Sequence, residues 1–315
     1  MGLILSGEIQ GITVCEKNGQ GGLTSCQVKE RNVLSTVYGD FVPRYSRPDF
    51  RRKDRSALTF FDNGSVKSIE LEEQSPVRTP LGVWEAEFIT FDEAGNLNSI
   101  FPRNGKLGFA WSEDDEATLV PAYDFSLPCG SFRAKLISAR FFPSGALRCV
   151  TVWPDERLEL TTPLGPLPVR IGFRLHEDGS LAAAEPDRPV KVTTPIGEIT
   201  AYDSAAVGLD ASSGSLRFDP QGTLRSLATA GSLTIRNLKT GEEEAIVSQP
   251  LAGFSECTQL GPLFIRFEGE AVYVDDGAGE KRYERGGYAF DADFDAEAAD
   301  GFSCAGGCDS CASGG

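Results

Sequence analysis

The sequence predicts an all-β protein, an elongated array of antiparallel β-meander repeats that is single-layered or solenoid-like, followed by a disordered C-terminal tail. Two recurring phrases indicate this fold. In the first, which occurs five times, an apolar residue precedes a glycine by four positions and a second apolar residue follows two positions later. The second phrase, Thr-Pro-[Leu/Ile]-Gly, occurs three times. Both have turn chemistry, so each strand is expected to run from one turn type to the other.

The first phrase predicts hairpin turns whose flanking residues are buried. In its clearest copy, Phe60 to Val66, apolar residues surround a polar turn at Asn63-Gly64, a pair that tolerates positive φ. We therefore expect the five glycines to have positive φ and the five leading apolar residues to lie at equivalent core positions. The copies are Phe60/Gly64/Val66, Phe91/Gly95/Leu97, Phe141/Gly145/Leu147, Leu175/Gly179/Leu181 and Phe218/Gly222/Leu224.

The second phrase predicts turns at the opposite ends of the strands. Proline fixes φ and glycine frees it, a combination that favours a tight reversal of the chain. The copies are Thr79-Pro80-Leu81-Gly82, Thr162-Pro163-Leu164-Gly165 and Thr194-Pro195-Ile196-Gly197, with Leu127-Pro128-Cys129-Gly130 as a looser version. One such unit cannot bury its own apolar face, so neighbouring units are expected to stack.

The segment Phe60 to Val66, FFDNGSV, resembles the hairpin of bacterial MORN-variant repeats, which has the pattern Y-x-x-N-G-x-[LIV]. The resemblance covers residues 58–230, with Phe in place of Tyr and with longer, uneven units. It implies an elongated β array used for contact with a protein partner rather than for catalysis.

The chain is expected to have three regions. Residues 1–57 are irregular and form an N-terminal cap, and residues 58–290 form the hairpin array, which closes with a hairpin around Asp275-Asp276-Gly277. Residues 291–315 form an acidic, Gly- and Cys-rich flexible tail.

The net charge and the residues at the N-terminus indicate which partners and which cellular location to expect. A net charge of −16 argues against nucleic acid, since binding it requires neutralisation of phosphates. One basic cluster, from Arg44 to Arg55, is interpreted as a solvated loop. The apolar run Leu3-Ile4-Leu5 is too short for a signal peptide or a membrane span, so a cytoplasmic protein with no membrane partner is expected.

The eight cysteines are too sparse for a disulfide scaffold and indicate a reduced protein. Cys149 and Cys257 are expected to be buried, with Cys15 and Cys26 as similar candidates.

The candidate metal ligands are Cys304, Cys308 and Cys311, spaced C-x3-C-x2-C in the tail. Three thiolates in a glycine-rich loop suit a [4Fe–4S] cluster or, with a fourth ligand, zinc. A reduced tail without metal and a redox pair, Cys308 with Cys311, are the alternatives. The sole histidine, His176, is interpreted as a solvent-facing turn residue.

Two functional hypotheses follow. The first is a non-enzymatic β-repeat scaffold that binds a protein partner, and the second is an iron–sulfur or zinc carrier that uses the tail. Catalysis through a histidine would require His176, and no nucleophile or phosphate-binding motif accompanies it. A pair of carboxylates across a β face stays open as a third option.

Overall fold

The computed structural model describes residues 9–46, 50–52, 55–107, 111–206, 211, 214–251 and 259–296. Over these residues it contains 26 β-strands, one seven-residue helix, α1 (Glu113–Leu119), and a 3-10 turn (Arg285–Gly287). The predicted all-β class is confirmed. The described residues form two compact units, an N-terminal unit (1–127, 131–156 and 177–179) and a C-terminal unit (128–130, 157–176 and 180 onwards).

The N-terminal unit is built on one antiparallel succession of strands. In it β1 pairs with β2, β2 with β5, β5 with β6, β6 with β7, and β7 with β8, while β10 pairs with β8, β9 and β11. The short strands β3 and β4 form a separate hairpin. The bounds are β1 (Ile12–Lys17), β2 (Leu23–Val28), β3 (Leu34–Thr36), β4 (Gly39–Phe41), β5 (Leu58–Phe60), β6 (Val66–Thr79), β7 (Gly82–Phe91), β8 (Leu97–Phe101), β9 (Ala122–Leu127), β10 (Gly130–Phe141) and β11 (Leu147–Val152).

The C-terminal unit has a second antiparallel succession, β12–β13–β14–β17–β18–β23–β24–β25. Strand β19 pairs with β20 and β26, and two small hairpins join β15 to β16 and β21 to β22. The bounds are β12 (Leu158–Thr162), β13 (Gly165–Leu175), β14 (Leu181–Pro186), β15 (Val190–Thr194), β16 (Gly197–Ala201), β17 (Leu216–Phe218), β18 (Leu224–Thr229), β19 (Gly231–Asn237), β20 (Glu243–Val247), β21 (Pro250–Leu251), β22 (Gln259–Leu260), β23 (Leu263–Glu268), β24 (Ala271–Asp275), β25 (Glu280–Glu284) and β26 (Tyr288–Phe294).

The glycine phrases form hairpin turns, as predicted. The Gly64 amide donates to the Phe61 carbonyl and the Phe61 amide to the Ser65 carbonyl, both at 2.9 Å. The register shifts at this point, which is the pattern of a three-residue loop ending in a glycine bulge. All five glycines have positive φ, and the five apolar residues before them are at most 8% exposed: Phe60, Phe91, Phe141, Leu175 and Phe218.

The threonine phrases also form turns, and the threonine side chain closes each one. The Thr79 hydroxyl donates to the Gly82 carbonyl at 2.8 Å and accepts from the Leu81 amide at 3.1 Å. The turns that begin at Thr162 and Thr194 repeat both bonds. The threonine hydroxyl therefore satisfies backbone groups that a two-residue loop leaves without partners.

A further threonine turn lies in the region predicted to be an irregular cap. Strands β3 and β4 are joined by Thr36-Val37-Tyr38-Gly39, where the Thr36 hydroxyl donates to the Gly39 carbonyl at 2.9 Å. The signal in the sequence was threonine and glycine at the same spacing, without the intervening proline.

The two turn types meet inside each unit. A Cβ built on Gly145 would lie 3.2 Å from the Pro80 ring, and one on Gly222 would lie 3.1 Å from the Pro163 ring. A glycine turn therefore packs against the proline of a threonine turn, in both units.

The structure confirms the predicted hairpin at Asp275-Asp276-Gly277, which joins β24 to β25. Residues 291–294, which were predicted to be part of the tail, belong to β26, because this strand continues to Phe294 and pairs with β19 over its whole length. Residues 297–315 of the predicted tail lie outside the described residues. Within the described residues no helix is long and apolar enough to cross a membrane.

Candidate functional site

The candidate site for contact with a partner is the outer edge of β1. Its residues Ile12 to Cys15 form an uncharged run rich in β-branched side chains, which favours an extended strand. All six residues of β1 are exposed, with Ile12 at 39% and Val14 at 58%. Across the part of the chain that the structure describes, β1 pairs only with β2. On its other side no described strand pairs with its backbone donors and acceptors, which is the feature of an edge strand.

Two other strands with a single described neighbour, β20 and β25, differ from β1 in charge. Strand β20 contains Glu243 and Glu244, and β25 contains Lys281 and Arg282. Charged side chains on an edge strand discourage pairing with another chain. In the C-terminal unit these two edges are also joined, because Lys281 forms an ion pair with Glu244 and the Tyr283 hydroxyl donates to the same carboxylate. The first four residues of β1 have no charged side chains and therefore no ion pair to another edge.

The described arginines of the segment 44–55, namely Arg44, Arg51, Arg52 and Arg55, do not form the solvated loop that the sequence suggested. Arg44 and Arg52 are only 6% and 8% exposed. The Arg44 guanidinium donates to Glu70 at 2.8 Å, and Arg52 donates to the Leu71 carbonyl at 2.8 Å. Arg55 lies 3.5 Å from the second oxygen of Glu70. Burial raises the pKa of the Glu70 carboxyl, and the Arg44 guanidinium opposes that shift.

Arg51 joins two further buried carboxylates, those of Glu87 and Glu116, in the same unit. Its guanidinium donates to Glu87 at 2.5 Å and to Glu116 at 3.0 Å. Arg103 donates to Glu87 at 2.7 Å, and the Trp111 indole donates to Glu116 at 2.6 Å. These hydrogen bonds outweigh burial and hold the pKa of Glu87 below its usual value.

Glu185 is the corresponding buried carboxylate of the C-terminal unit. Ser215 donates to it from its amide at 2.8 Å and from its hydroxyl at 2.7 Å. The Arg170 guanidinium lies 3.6 Å away and stacks on the Tyr202 ring at 4.7 Å. Burial raises the pKa of Glu185 to about 7, because one weak ion pair and the Ser215 donors compensate only part of the lost hydration.

Backbone strain lies beside this cluster. Ile171, next to Arg170, has φ of 64°, and the β13–β14 register shifts between Arg170 and Phe173. Positive φ is costly for a β-branched residue, about 1–3 kcal/mol, and persists only where the surroundings enforce it. Here the bulge accompanies the Arg170 contacts with Glu185 and with the Asp203 carbonyl.

Glu87, Glu116 and Glu185 do not have the arrangement of a catalytic pair. Glu87, Glu116 and Glu185 are each at most 3% exposed, and both oxygens of each accept hydrogen bonds from the protein. A glycosidase needs two carboxyl groups that face a substrate. The arrangement is typical of clusters that tie loops to a sheet.

A surface cleft of about 420 Å³ lies where β26 ends. It is lined by Ser232, Ser248, Asp293 and Asp295, with Gly231 beside them. Two carboxylates and two hydroxyls do not make a group of three metal-ligating side chains, and no such group occurs elsewhere among the described residues.

The predicted metal ligands Cys304, Cys308 and Cys311 lie outside the described residues, as does Cys257. Cys26 and Cys149 are buried, as expected.

Two predictions about individual side chains are wrong. Cys15 is exposed because neither face of β1 is covered, since all six of its residues are exposed. His176 is half-buried rather than solvent-facing, and its Nε2 lies 2.9 Å from the Phe218 carbonyl, a contact between two hairpins of the C-terminal unit.

No protein-family model matches this chain, and searches of curated proteins and of solved structures find no match either. The resemblance to MORN-variant repeats therefore stays a prediction.

Proposed function

We propose that this chain is a non-enzymatic β-repeat scaffold that binds a protein partner, and that the partner adds a strand to the outer edge of β1. The observation that carries the proposal is the difference in charge between the edge strand β1 and the edge strands β20 and β25. Strand β1 is exposed and uncharged from Ile12 to Cys15, whereas β20 and β25 carry charges and are joined by the Lys281–Glu244 ion pair. Added strands gain affinity from main-chain hydrogen bonds and specificity from alternate side chains.

The chemistry of the edge indicates the kind of partner. An extended segment with apolar, β-branched side chains would pair with Ile12 and Val14 in the cross-strand manner. The net charge of −16 favours a partner that is basic outside that segment, because opposite charges accelerate encounter. We propose a cytoplasmic location, which is supported by the four cysteines that the structure describes, since none of them forms a disulfide: Cys15, Cys26, Cys129 and Cys149.

The test compares two exposed valines of the N-terminal unit, Val14 in β1 and Val83 in β7, which are 58% and 62% exposed. A partner is first captured on the immobilised wild-type chain from an extract of the producing cells and then purified. Its affinity is measured for wild type, Val14→Lys and Val83→Lys. A lysine on the edge is expected to weaken binding by about tenfold or more, and the control substitution by less than about twofold.

Equal losses for the two variants would show that the partner does not use β1. The same conclusion would follow if Val14→Lys left the affinity unchanged. Circular dichroism of both variants checks that the fold is retained.

We also propose a second function, an iron–sulfur or zinc carrier, on the C-x3-C-x2-C spacing of Cys304, Cys308 and Cys311. The wild-type chain and a variant with all three cysteines replaced by serine are reconstituted anaerobically with iron and sulfide, and separately with zinc. Visible absorption and metal analysis are expected to show metal on wild type alone. Equal metal content in the two proteins, or none in either, contradicts this function and leaves the scaffold proposal standing.

A further inference from the structure

Two free thiols face each other across the first strand pair. Cys15 in β1 and Cys26 in β2 are direct partners in the antiparallel register, and the structure contains no disulfide between them. Directly opposed residues in such a pair have Cα atoms about 4.5–5.5 Å apart, which falls within the 4.4–6.8 Å range of disulfides. No backbone rearrangement is therefore needed to bring the two Cα atoms into range.

We propose that Cys15 and Cys26 are an oxidisable dithiol that forms a cross-strand disulfide by exchange with a small-molecule disulfide. This inference does not depend on the proposed function. It assigns a modification site to the edge strand, with a low-molecular-weight disulfide as the oxidant.

The two thiols differ in access, which sets the order of the steps. Cys15 is exposed, whereas Cys26 is only 1% exposed. The Cys15 thiolate attacks one sulfur of the oxidant, which releases one thiol and leaves a mixed disulfide on Cys15. The Cys26 thiolate then attacks the Cys15 sulfur and releases the second thiol. Two S–H bonds are lost, one S–S bond forms, and the oxidant is reduced to two thiols.

The second step is expected to be the slow one. Burial, with a smaller contribution from Cys15, raises the pKa of the Cys26 thiol to about 11, so its thiolate is scarce at neutral pH. Formation of the cross-link should therefore accelerate as the pH rises from 7 to 9, while the mixed disulfide on Cys15 forms first. Once formed, the bond would tie β1 to β2 at the middle of the strand pair.

The sequence allows a direct assay. Trypsin separates the two cysteines, because Lys17 and Lys29 place them in the peptides 1–17 and 18–29. The full-length reduced chain is treated with glutathione disulfide, its remaining thiols are alkylated, and the monomer is digested and examined by mass spectrometry. The expected product is peptide 1–17 joined to peptide 18–29.

Two variants give matched controls. Cys26→Ser should stop at glutathione on Cys15, and Cys15→Ser should carry no glutathione on Cys26. A further variant with the three tail cysteines replaced by serine should still form the link.

A persistent glutathione adduct on wild-type Cys15 without the linked peptides would overturn the proposal. So would a link from Cys15 to another cysteine in preference to Cys26.

Discussion

Glu70 in the N-terminal unit and Glu185 in the C-terminal unit occupy the same place in the repeat, six residues after the turn glycines Gly64 and Gly179. Both are buried in a strand, yet their partners differ. Glu70 accepts from the Arg44 guanidinium at 2.8 Å. Glu185 accepts mainly from the amide and hydroxyl of one serine, and its nearest guanidinium is 3.6 Å away.

In both units the repeat sets the position of the carboxylate, whereas segments outside the repeat supply the groups that stabilise it. Arg44 comes from the chain before the first phrase, and Ser215 from just before β17. The other three copies have Phe101, Thr151 and Ala228 at this place, so the repeat itself does not require a carboxylate there.

The largest effect is expected when Arg44 is removed. In Arg44→Ala the buried Glu70 loses its closest counter-charge, which should lower the free energy of unfolding by about 3–5 kcal/mol at pH 8. The loss should shrink as the pH falls and Glu70 becomes neutral. Urea denaturation at pH 5 and pH 8 measures both.

The control is Arg133→Ala in the same unit, whose pair with Asp124 is exposed. Its cost should stay under about 1 kcal/mol. Similar losses for the two arginines would mean that burial of Glu70 does not matter.

The next prediction concerns Glu185, where a substitution should raise the free energy of unfolding at high pH rather than lower it. The folded-state pKa of Glu185, about 7, exceeds its usual value, so the protonated carboxyl stabilises the fold at low pH and this contribution is lost as the pH rises through 7. Glu185→Gln removes the titration. Relative to wild type, the free energy of unfolding of the variant should therefore rise by roughly 3 kcal/mol between pH 4.5 and pH 8.

The check is thermal unfolding of wild type and Glu185→Gln across that pH range. Glu198→Gln, at an exposed carboxylate of the same unit, should follow wild type. If the difference between wild type and Glu185→Gln is constant with pH, Glu185 does not titrate in this range.

A smaller effect is expected from Ser215→Ala. The variant loses the hydroxyl donor to Glu185 but keeps the amide, so about 1–3 kcal/mol should be lost at pH 8. Less should be lost at pH 5, where the carboxyl carries its own proton. A loss that is greater at pH 5 would show that the hydroxyl serves the neutral carboxyl instead. Guanidinium denaturation at the two pH values distinguishes these outcomes.

The smallest effect concerns the aromatic rings beside the two clusters. Arg170 lies 4.7 Å from the Tyr202 ring centre, and Arg55 lies 5.6 Å from that of Phe88. A double-mutant cycle of Tyr202→Leu with Arg170→Met should give a coupling of about 1 kcal/mol, and the cycle of Phe88→Leu with Arg55→Met should give less. A larger coupling energy for Phe88 and Arg55 than for Tyr202 and Arg170 would contradict this prediction.

The sequence predicted the features that depend on local chemistry. The positive φ of the turn glycines and the burial of Phe60 and its equivalents follow from turn residues and alternation within about ten positions. The threonine turns were predicted where proline accompanied them. The copy at Thr36–Gly39 was missed because Val37 takes the proline position.

The predictions that failed concern features that depend on contacts between residues far apart in the sequence. The arginine segment was interpreted as solvated because Glu70, Glu87 and Glu116, which pair with Arg44 and Arg51, are 26 to 65 residues away. Glu70 and Glu185 share a position six residues after a turn glycine, but Glu87 and Glu116 have no such marker in the sequence.

Cys15 was misplaced for a related reason. An apolar neighbourhood looks the same on an edge strand as on a central one, and strand order is a tertiary property.

The hydroxyl-closed threonine turn has a kinetic consequence. Because Thr79, Thr162 and Thr194 each satisfy their turn from within four residues, these hairpins need no distant contact in order to form. Hairpins close in about 1–10 μs, whereas β2 must find β5 across the chain between Ser25 and Thr59 at a greater cost in loop entropy. Folding should therefore begin at many turns at once and be limited by the few pairings that join strands distant in sequence.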